Sequence, residues 1–417
     1  MNTNTKSVSK VNAFFNKLKK YNSHNIIIYS NQESSLRDAI LSDGRSNKVS
    51  KIDGELITVK PNIKVENFPY TGGIKHFEGS VSKNDDPIIK RIKENGGIVI
   101  GSTNMDEAAF GGDTSTSFYG RCINPNNKEL SVGGSSGGSA AAIASGLVNF
   151  SIGTDTMGSI RIPASYCGIV GFKPSSSMTN NKDLILLSDT YDTIGFHSNN
   201  VFNINNLYKI INSSIHNCDY KPINNIKCLV PNQIFNNDIN KDVIEGFKEA
   251  LLKIGKNGIN IEYNDMHFWE PNFHRKLLLK IVENEGAKNL KELLENKASY
   301  ITEHLRNNLF FGKSIDKQEI KNIRLELEIL KNQIKTIYKE FDLILMPTTP
   351  QNSFNIKDKP PENQANLTSL ANIADLPAIS LPYKNGGKTF HSLQVLAAQH
   401  NDEFLLKTSS FFEKILQ

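Results

Sequence analysis

Short apolar runs alternate with amphipathic stretches along the first part of the chain. Residues 86–97 predict a helix, because Asp86 can cap its start, Pro87 suits its first turn and a Gly-Gly pair ends it. The apolar run at 98–100 then predicts a buried strand. The alternation recurs in a strand at 56–59, a helix after Ser136 and an apolar run at 148–152. This order predicts an α/β fold whose β-sheet is covered by helices on both faces.

The middle of the chain has a different pattern. Residues 180–240 are rich in Asn and irregular, and residues 247–338 carry charged, amphipathic helical patterns. Buried strands return at 343–346 and 378–381, each followed by a proline. We therefore expect one domain over residues 1–417, in which about 180–340 form an irregular and helical excursion from the sheet.

Composition excludes several classes of protein. The 417 residues are 38% hydrophobic and 22% charged, as in an ordinary globular protein. The net charge of +5 is spread along the chain, so it does not indicate a face that binds nucleic acid directly. No run approaches 18 apolar residues, so we expect no membrane span.

The cysteines and the N-terminal residues bear on location. The four cysteines, Cys122, Cys167, Cys218 and Cys228, form no CxxC pair and have no nearby His at metal spacing. They predict reduced thiols in a cytoplasmic protein that binds no metal and needs no cofactor. The first 22 residues are basic and free of acidic side chains, which leaves a mitochondrial location open.

The richest chemistry lies in residues 132–175, where two Gly-Ser clusters flank a predicted helix and strand. Glycines around Ser135 and Ser136 allow a tight bend that presents both hydroxyl groups. Downstream, Ser159 ends the short loop 153–159, where successive backbone N–H groups can point at one spot. Such a loop can stabilise the oxyanion formed when a serine attacks a carbonyl carbon.

A serine nucleophile needs a base to take its proton. None of the nine histidines lies in residues 132–175 or in a recognisable triad context. Lysine is the alternative, provided that burial lowers its pKa toward neutrality. Lys60 is the candidate, because it closes the predicted buried strand 56–59 ahead of the Gly-Ser region.

These motifs resemble the amidase-signature family, whose hallmark is GGSSGGS, then GTDxGGSIRxPA, then GxKP. The resemblance implies a large mixed sheet with helices on both faces and an amidase that forms an acyl-serine intermediate. It implies Ser159 as nucleophile, Ser135 as a bridging serine on a cis Gly134–Ser135 peptide, and Lys60 as base. The expected oxyanion and substrate-binding residues are Thr156, Met157 and Gly158.

Two positions depart from the family pattern. Met157 stands where the family usually has glycine, and Pro61 follows Lys60 where the family has aspartate. If the loop required a positive φ at Met157, the strain would displace an oxyanion donor. We expect Arg161, two residues after the nucleophile, to serve local structure rather than to bind a substrate carboxylate.

Three functions remain open at this stage. The first is a free-standing amidase that acts on a small-molecule amide. The second is the glutaminase component, the A chain, of glutamyl-tRNA(Gln) amidotransferase, which supplies ammonia from glutamine to a partner subunit. The third is a catalytically silent relative that acts as a binding protein. Residues 284–290 and 389–394 match the amidotransferase pattern poorly, which favours the free amidase.

Overall fold

A single mixed sheet organises the molecule. The computed structural model describes residues 6–178, 184–212, 221–236, 238–383 and 389–417. Within these ranges the strands are β1 Ile27–Ser30, β2 Leu56–Val59, β3 Ile98–Thr103, β4 Phe150–Asp155, β5 Val170–Lys173, β6 Thr193–Ser198, β7 Lys227–Pro231, β8 Asn260–Asn264, β9 Leu343–Pro347, β10 Ala378–Tyr383 and β11 His391–Ala397.

All eleven of these strands join one sheet in the order β1-β3-β2-β4-β6-β5-β10-β11-β9-β7-β8. β2 runs parallel to β3 and β4, and β7 runs parallel to β8 and β9. The other neighbouring strands are antiparallel. The predicted large mixed sheet is therefore confirmed.

Helices pack on both faces of this sheet. The α-helices in the described ranges are α1 Lys6–Leu18, α2 Gln32–Asp43, α3 Pro87–Glu94, α4 Gly137–Ala144, α5 Arg161–Cys167, α6 Val201–Ile211, α7 Lys241–Lys256, α8 Pro271–Asn289, α9 Lys291–Asn296, α10 Glu303–Ser314, α11 Lys317–Ile337, α12 Ser369–Ile373 and α13 Asp402–Leu416. In β2, Ile57 packs in one apolar cluster with Ile89 of α3. The preceding Leu56 packs in the opposite cluster with Ala140 of α4. This alternation is what a strand buried on both faces requires.

Several predicted elements are present. Asp86 caps α3, since its carboxylate accepts a hydrogen bond of 2.8 Å from the Ile88 N–H. The strands predicted at 56–59, 98–100, 343–346 and 378–381 are β2, β3, β9 and β10. Cys122, Cys167 and Cys228 are buried free thiols, whereas Cys218 lies outside the described residues.

The prediction for residues 180–240 was wrong where the structure describes that segment. It contains β6, α6 and β7, and β6 lies inside the sheet between β4 and β5. The Asn-rich composition concealed these elements. Asn200, for example, caps α6 by accepting a hydrogen bond of 2.8 Å from the Asn203 N–H. The helical middle of the chain likewise contains the edge strand β8.

The long helices of the middle segment carry the predicted apolar stripes. Ile320, Ile323, Leu327 and Leu330 form one buried face of α11. Among the helices that the structure describes, none combines the length and the apolar character needed to cross a membrane.

Candidate active site

The sheet brings the two halves of the candidate site to one edge. β2 ends at Val59 and β4 ends at Asp155, and the two strands are parallel neighbours. Their carboxyl ends therefore meet at the same edge of the sheet. Lys60 follows β2 directly, while the loop that carries Ser159 follows β4. Ser135 and Ser136 precede α4, which packs against β4.

The Lys60 side chain is completely buried and has three hydroxyl partners. Its Nζ lies 2.8 Å from Ser135 Oγ, 2.9 Å from Ser136 Oγ and 2.9 Å from Thr154 Oγ1. The described ion pairs include no carboxylate within 4.0 Å of this amine. Lys60 is thus held by neutral oxygen atoms rather than by an ion pair.

This environment sets the protonation of Lys60. Burial lowers the pKa of Lys60 to about 7, although the carboxylates of Asp192, Asp106 and Asp155 act in the opposite direction. Desolvation disfavours the ammonium ion, because water no longer surrounds it. A large fraction of Lys60 is therefore neutral near pH 7 and able to accept a proton.

The two Gly-Ser clusters are linked through Ser136. The Ser136 hydroxyl donates to the Thr154 carbonyl oxygen at 3.0 Å, and its backbone N–H donates to the Ser159 carbonyl oxygen at 3.3 Å. Ser136 thus joins the Lys60 network to the loop of Ser159. The Gly134–Ser135 peptide is cis, as the family resemblance implied.

Ser159 opens onto a cavity of about 520 Å³. Gly134, Thr156 and Met157 line the same cavity. Within the described ranges, no hydrogen bond joins the hydroxyl groups of Ser135 and Ser159. The structure therefore brings Lys60 to Ser135, while the second contact of the expected relay is not formed in this conformation.

The Asp155 carboxylate organises the loop between β4 and α5. It accepts hydrogen bonds from the Gly158 N–H at 2.8 Å and from the Ile160 N–H at 3.1 Å. The expectation that Gly158 supplies an oxyanion donor is therefore corrected, because its N–H already binds Asp155. The N–H groups of Met157 and Ser159 donate to no atom of the described chain, so they remain available.

Arg161 supports Asp155 from below the loop. The fully buried guanidinium lies 2.9 Å from the Asp155 carboxylate and also donates to the Thr368 carbonyl oxygen at 2.8 Å. Burial raises the pKa of Asp155, but the charge and hydrogen bonds of Arg161 outweigh this effect and hold the pKa well below its usual range. Arg161 also binds the side-chain oxygens of Asn372 and Gln394. Its role is thus local structure, as expected.

The backbone of the loop explains how Met157 is tolerated. Gly158 has φ +129°, a conformation that favours glycine, and a Cβ there would collide with Thr368 Oγ1. Met157 is not among the residues with positive φ. The strain considered for Met157 therefore does not arise, and its carbonyl oxygen accepts a hydrogen bond of 2.6 Å from Thr368.

Three contributors to the site were missed by the sequence reasoning. Thr154 is the third partner of Lys60, and it lies in the same GTD motif as Asp155. Asp192 accepts a hydrogen bond of 2.6 Å from the Thr156 hydroxyl, and burial raises the pKa of Asp192 to about 6. Thr368 lies more than 200 residues after the loop that it contacts. Of these three residues, only Thr154 could have been found from the sequence, because it lies in a motif of the family.

Known proteins share this architecture. Residues 9–406 match the family model described as Amidase. The chain belongs to the amidase family. The prediction of an enzyme that acts on amide bonds is thereby confirmed at the level of the family.

Individual relatives were found by sequence. This amidase is 28% identical to the glutamyl-tRNA(Gln) amidotransferase A chain of Endomicrobium trichonymphae, over 98% of this chain and 93% of the relative. It is 30% identical to the corresponding chain of Borreliella burgdorferi, over 85% of this chain and 83% of the relative.

Solved structures give the same fold. A crystal structure described as an amidase superposes with a TM-score of 0.91 at 23% identity, covering 99% of this chain and 96% of the other. The glutamyl-tRNA(Gln) amidotransferase A chain of Thermotoga maritima superposes with a TM-score of 0.81 at 25% identity, covering 95% of this chain and 89% of the other.

Proposed function

We propose that this amidase hydrolyses the C–N bond of a small carboxamide through an acyl-enzyme on Ser159. Lys60 is the base, and Ser135 carries the proton between Ser159 and Lys60. The observation that carries this proposal is the buried Lys60 amine, which has a pKa of about 7 and lies 2.8 Å from Ser135 Oγ. A lysine in that state can accept a proton, whereas an ordinary surface lysine cannot.

The acylation step follows from this geometry. Ser159 Oγ attacks the carbonyl carbon of the amide and passes its proton to Ser135, while Ser135 passes its own proton to Lys60. The N–H groups of Met157 and Ser159 donate to the oxyanion. Lys60 then returns a proton through Ser135 to the leaving nitrogen, the C–N bond breaks, and water later hydrolyses the ester on Ser159.

The relay requires a contact between Ser135 and Ser159. Both hydroxyl groups can turn about their side-chain torsions, and catalytic hydrogen bonds often shorten only when substrate is bound. The exposure of Ser159 to the cavity, while Lys60 and Ser135 are fully buried, fits this order of events. Substrate enters from the cavity side, and the proton leaves toward the protein interior.

A second candidate function rests on the sequence relatives. The A chains of two glutamyl-tRNA(Gln) amidotransferases are 28% and 30% identical to this protein. In that role the same acylation at Ser159 would release ammonia from glutamine for a partner subunit. The chemistry at Ser159 is common to both functions, so the substrate and the partner distinguish them.

Covalent labelling tests the nucleophile. A fluorophosphonate probe should modify Ser159 in the wild-type protein, as read by mass spectrometry of peptides. Ser159→Ala should abolish labelling while the circular dichroism spectrum stays unchanged. Ser165→Ala is a matched control in the adjacent helix α5 and should label normally, since Ser165 does not line the cavity. Labelling of another serine in Ser159→Ala would refute the assignment.

A further inference from the structure

One face of α8 forms a wall of the cavity that contains Ser159. Arg275, Leu279, Val282 and Glu283 all line this cavity, at spacings that place them along one side of a helix. The remaining lining includes the apolar side chains of Phe110, Ile162 and Phe311 and polar ones such as Asn308 and Gln364. Glu283 thus presents a carboxyl group to a largely apolar chamber.

Glu283 is buried without a polar partner. Its exposed fraction is only 4%, yet it makes no hydrogen bond or ion pair with the described part of the chain. Its carboxyl oxygens are not among the fully enclosed atoms that lack a partner, so they are accessible, and Glu283 lines the cavity of Ser159. Buried polar groups are nearly always hydrogen-bonded, so this carboxyl group, which has no protein partner, is available to a donor that enters the cavity.

Glu285, two residues further along α8, provides the comparison. It is equally buried at 4%, but its carboxylate accepts hydrogen bonds from Ser188, Thr190 and Arg324. Burial raises the pKa of Glu285, and those three partners outweigh the effect and lower it. The fold therefore provides hydrogen-bond donors for the buried carboxylate of Glu285 and none for that of Glu283.

The position of Glu283 is fixed by the crossing of α8 and α10. A Cβ on Gly312 of α10 would collide with the Glu283 carbonyl oxygen, so the two backbones pass in close contact. The side-chain amide of Asn284 donates a hydrogen bond of 2.9 Å to the Gly312 carbonyl oxygen and so stabilises the contact between the two helices. Glu283 is consequently held on a rigid element that faces the cavity.

The charge of Glu283 depends on its neighbours. Burial raises the pKa of Glu283 to about 7, while the positive charges of Lys280 and Arg275 act to lower it. Lys280 is paired with Glu319 at 2.6 Å, and neither cation bonds to Glu283. Above pH 7 the side chain is thus a carboxylate, which can only accept hydrogen bonds.

We propose that Glu283 determines substrate specificity by accepting a hydrogen bond from an N–H group that the substrate carries away from its scissile amide. This inference rests on the proposed function, because it places the substrate in the cavity of Ser159. The N–H group is either an ammonium ion or a second amide, since both donate to a carboxylate. An amide with a purely apolar tail would leave the carboxylate desolvated and unpaired.

Four amides of one chain length test the proposal at pH 8.5, where Glu283 is ionised. Pentanamide has no second polar group, 5-aminopentanamide has an ammonium ion, pentanediamide has a second amide, and 5-amino-5-oxopentanoate has a carboxylate. We expect kcat/KM for 5-aminopentanamide or pentanediamide to exceed that for pentanamide by about 10- to 100-fold. Whichever of the two is preferred identifies the source of the N–H group.

Variants assign this preference to one side chain. Glu283→Leu should remove the preference by raising KM for the N–H substrates and by raising kcat/KM for pentanamide, because the variant no longer leaves a carboxylate unpaired beside an apolar tail. Glu362→Gln is the matched control, because Glu362 is an exposed carboxylate at the same cavity, and it should preserve the preference. A preference that survives Glu283→Leu, or that favours the carboxylate substrate, would overturn the inference.

Two further measurements distinguish failure of the inference on Glu283 from failure of the proposed function. If wild-type protein hydrolyses pentanamide and the N–H amides equally, only the inference on Glu283 fails. If it hydrolyses none of the four and Ser159 is not labelled, the proposed function fails with it. The melting temperature of Glu283→Leu should equal or exceed that of the wild type, because an unpaired buried carboxylate is removed. A marked fall would instead indicate a structural role for Glu283.

Discussion

The Lys60 amine sits among three hydroxyl groups that suit both of its protonation states. The oxygens of Ser135, Ser136 and Thr154 accept hydrogen bonds from an ammonium ion. A serine or threonine hydroxyl can also donate to a neutral amine by rotating its proton. No side chain has to move when Lys60 gains or loses a proton, which suits a base that works in both directions during one turnover.

The pH dependence of hydrolysis should report this lysine. If the neutral amine is the base, kcat/KM for pentanamide in the Glu283→Leu variant, which lacks the second group that titrates near pH 7, should rise with pH through about 7 and level off above it. On the acid side, the rate constant should fall by about tenfold per pH unit. A pentanamide profile without this rise would contradict the assignment of Lys60 as base.

Replacement of Lys60 complements the pH profile. Lys60→Ala should lower kcat/KM by about 100- to 10,000-fold, because it removes general-base catalysis. A loss below about tenfold would mean that another base operates. His197 would then be considered first, since it is buried near Ile160 and burial lowers its pKa to about 4, which keeps it neutral.

At the scale of the element, the loop between β4 and α5 is shaped by the Asp155 carboxylate together with the backbone conformation of Gly158. The Asp155 carboxylate accepts hydrogen bonds from the N–H groups of Gly158 and Ile160, and the Arg161 guanidinium neutralises its charge. Thr368 then binds the Met157 carbonyl oxygen from a distant segment. The N–H groups of Met157 and Ser159 donate to no atom of the described chain, and both residues line the cavity.

Gly158→Ala should disrupt this loop. Alanine is strained at φ +129°, and its methyl group would collide with Thr368. We expect a loss of stability of about 1 to 3 kcal/mol in urea unfolding, together with slower labelling of Ser159 by the probe. A variant with wild-type stability and labelling would show that the loop does not need this backbone geometry.

Gly255→Ala is the matched control in α7. The nearest atom to its added methyl group would be Ile261 Cδ1 at 3.9 Å, which is ordinary contact. Because alanine is the better helix former, this variant should be as stable as the wild type or more stable by about 0.5 to 1 kcal/mol. Its labelling of Ser159 should be unchanged.

Secondary-structure prediction succeeded where local sequence signals marked an element, and it failed where only packing in the sheet stabilises the element. α3 carries its own cap, proline and glycine stop, so its sequence predicts it. β6 has the sequence TIGFHS and lies in the sheet between β4 and β5. Its polar residues gave no apolar run, and only neighbouring strands provide its hydrogen bonds and burial. Propensity is a weak guide for such a strand.

At the scale of the whole molecule, a free amidase and an amidotransferase component are two different biological settings. The sequence relatives from Endomicrobium trichonymphae and Borreliella burgdorferi are components of an amidotransferase, whereas the structure with a TM-score of 0.91, at 23% identity, shows only the shared fold. Both kinds of relative cover most of this chain. Overall similarity therefore establishes the family and leaves the assembly to experiment.

Purification without a partner distinguishes the two settings. A free amidase should purify as an active protein and release ammonia from at least one small amide, with glutamine not a preferred substrate. An enzyme-coupled ammonia assay over a set of amides measures this directly. Ser159→Ala provides the blank, since it should abolish release from every amide.

An amidotransferase component would behave differently. It should copurify with a second protein chain, and charged tRNA should stimulate its hydrolysis of glutamine. That pair of observations would replace the free amidase by the second candidate function. It would leave the proposed chemistry of Lys60, Ser135 and Ser159 intact, because both functions use the same acylation.

The sequence by itself determined the family and named the candidates Lys60, Ser135 and Ser159, because glycines and serines at fixed spacing encode a local backbone shape. It could not determine the environment of Glu283, the capture of the Gly158 N–H by Asp155 or the contact of Thr368 with the loop. Those features depend on how the packed chain surrounds each group, often with segments far apart in sequence. Burial and charge pairing are properties of the packed molecule, so only the tertiary structure decided which of these groups are satisfied and which remain free for a ligand.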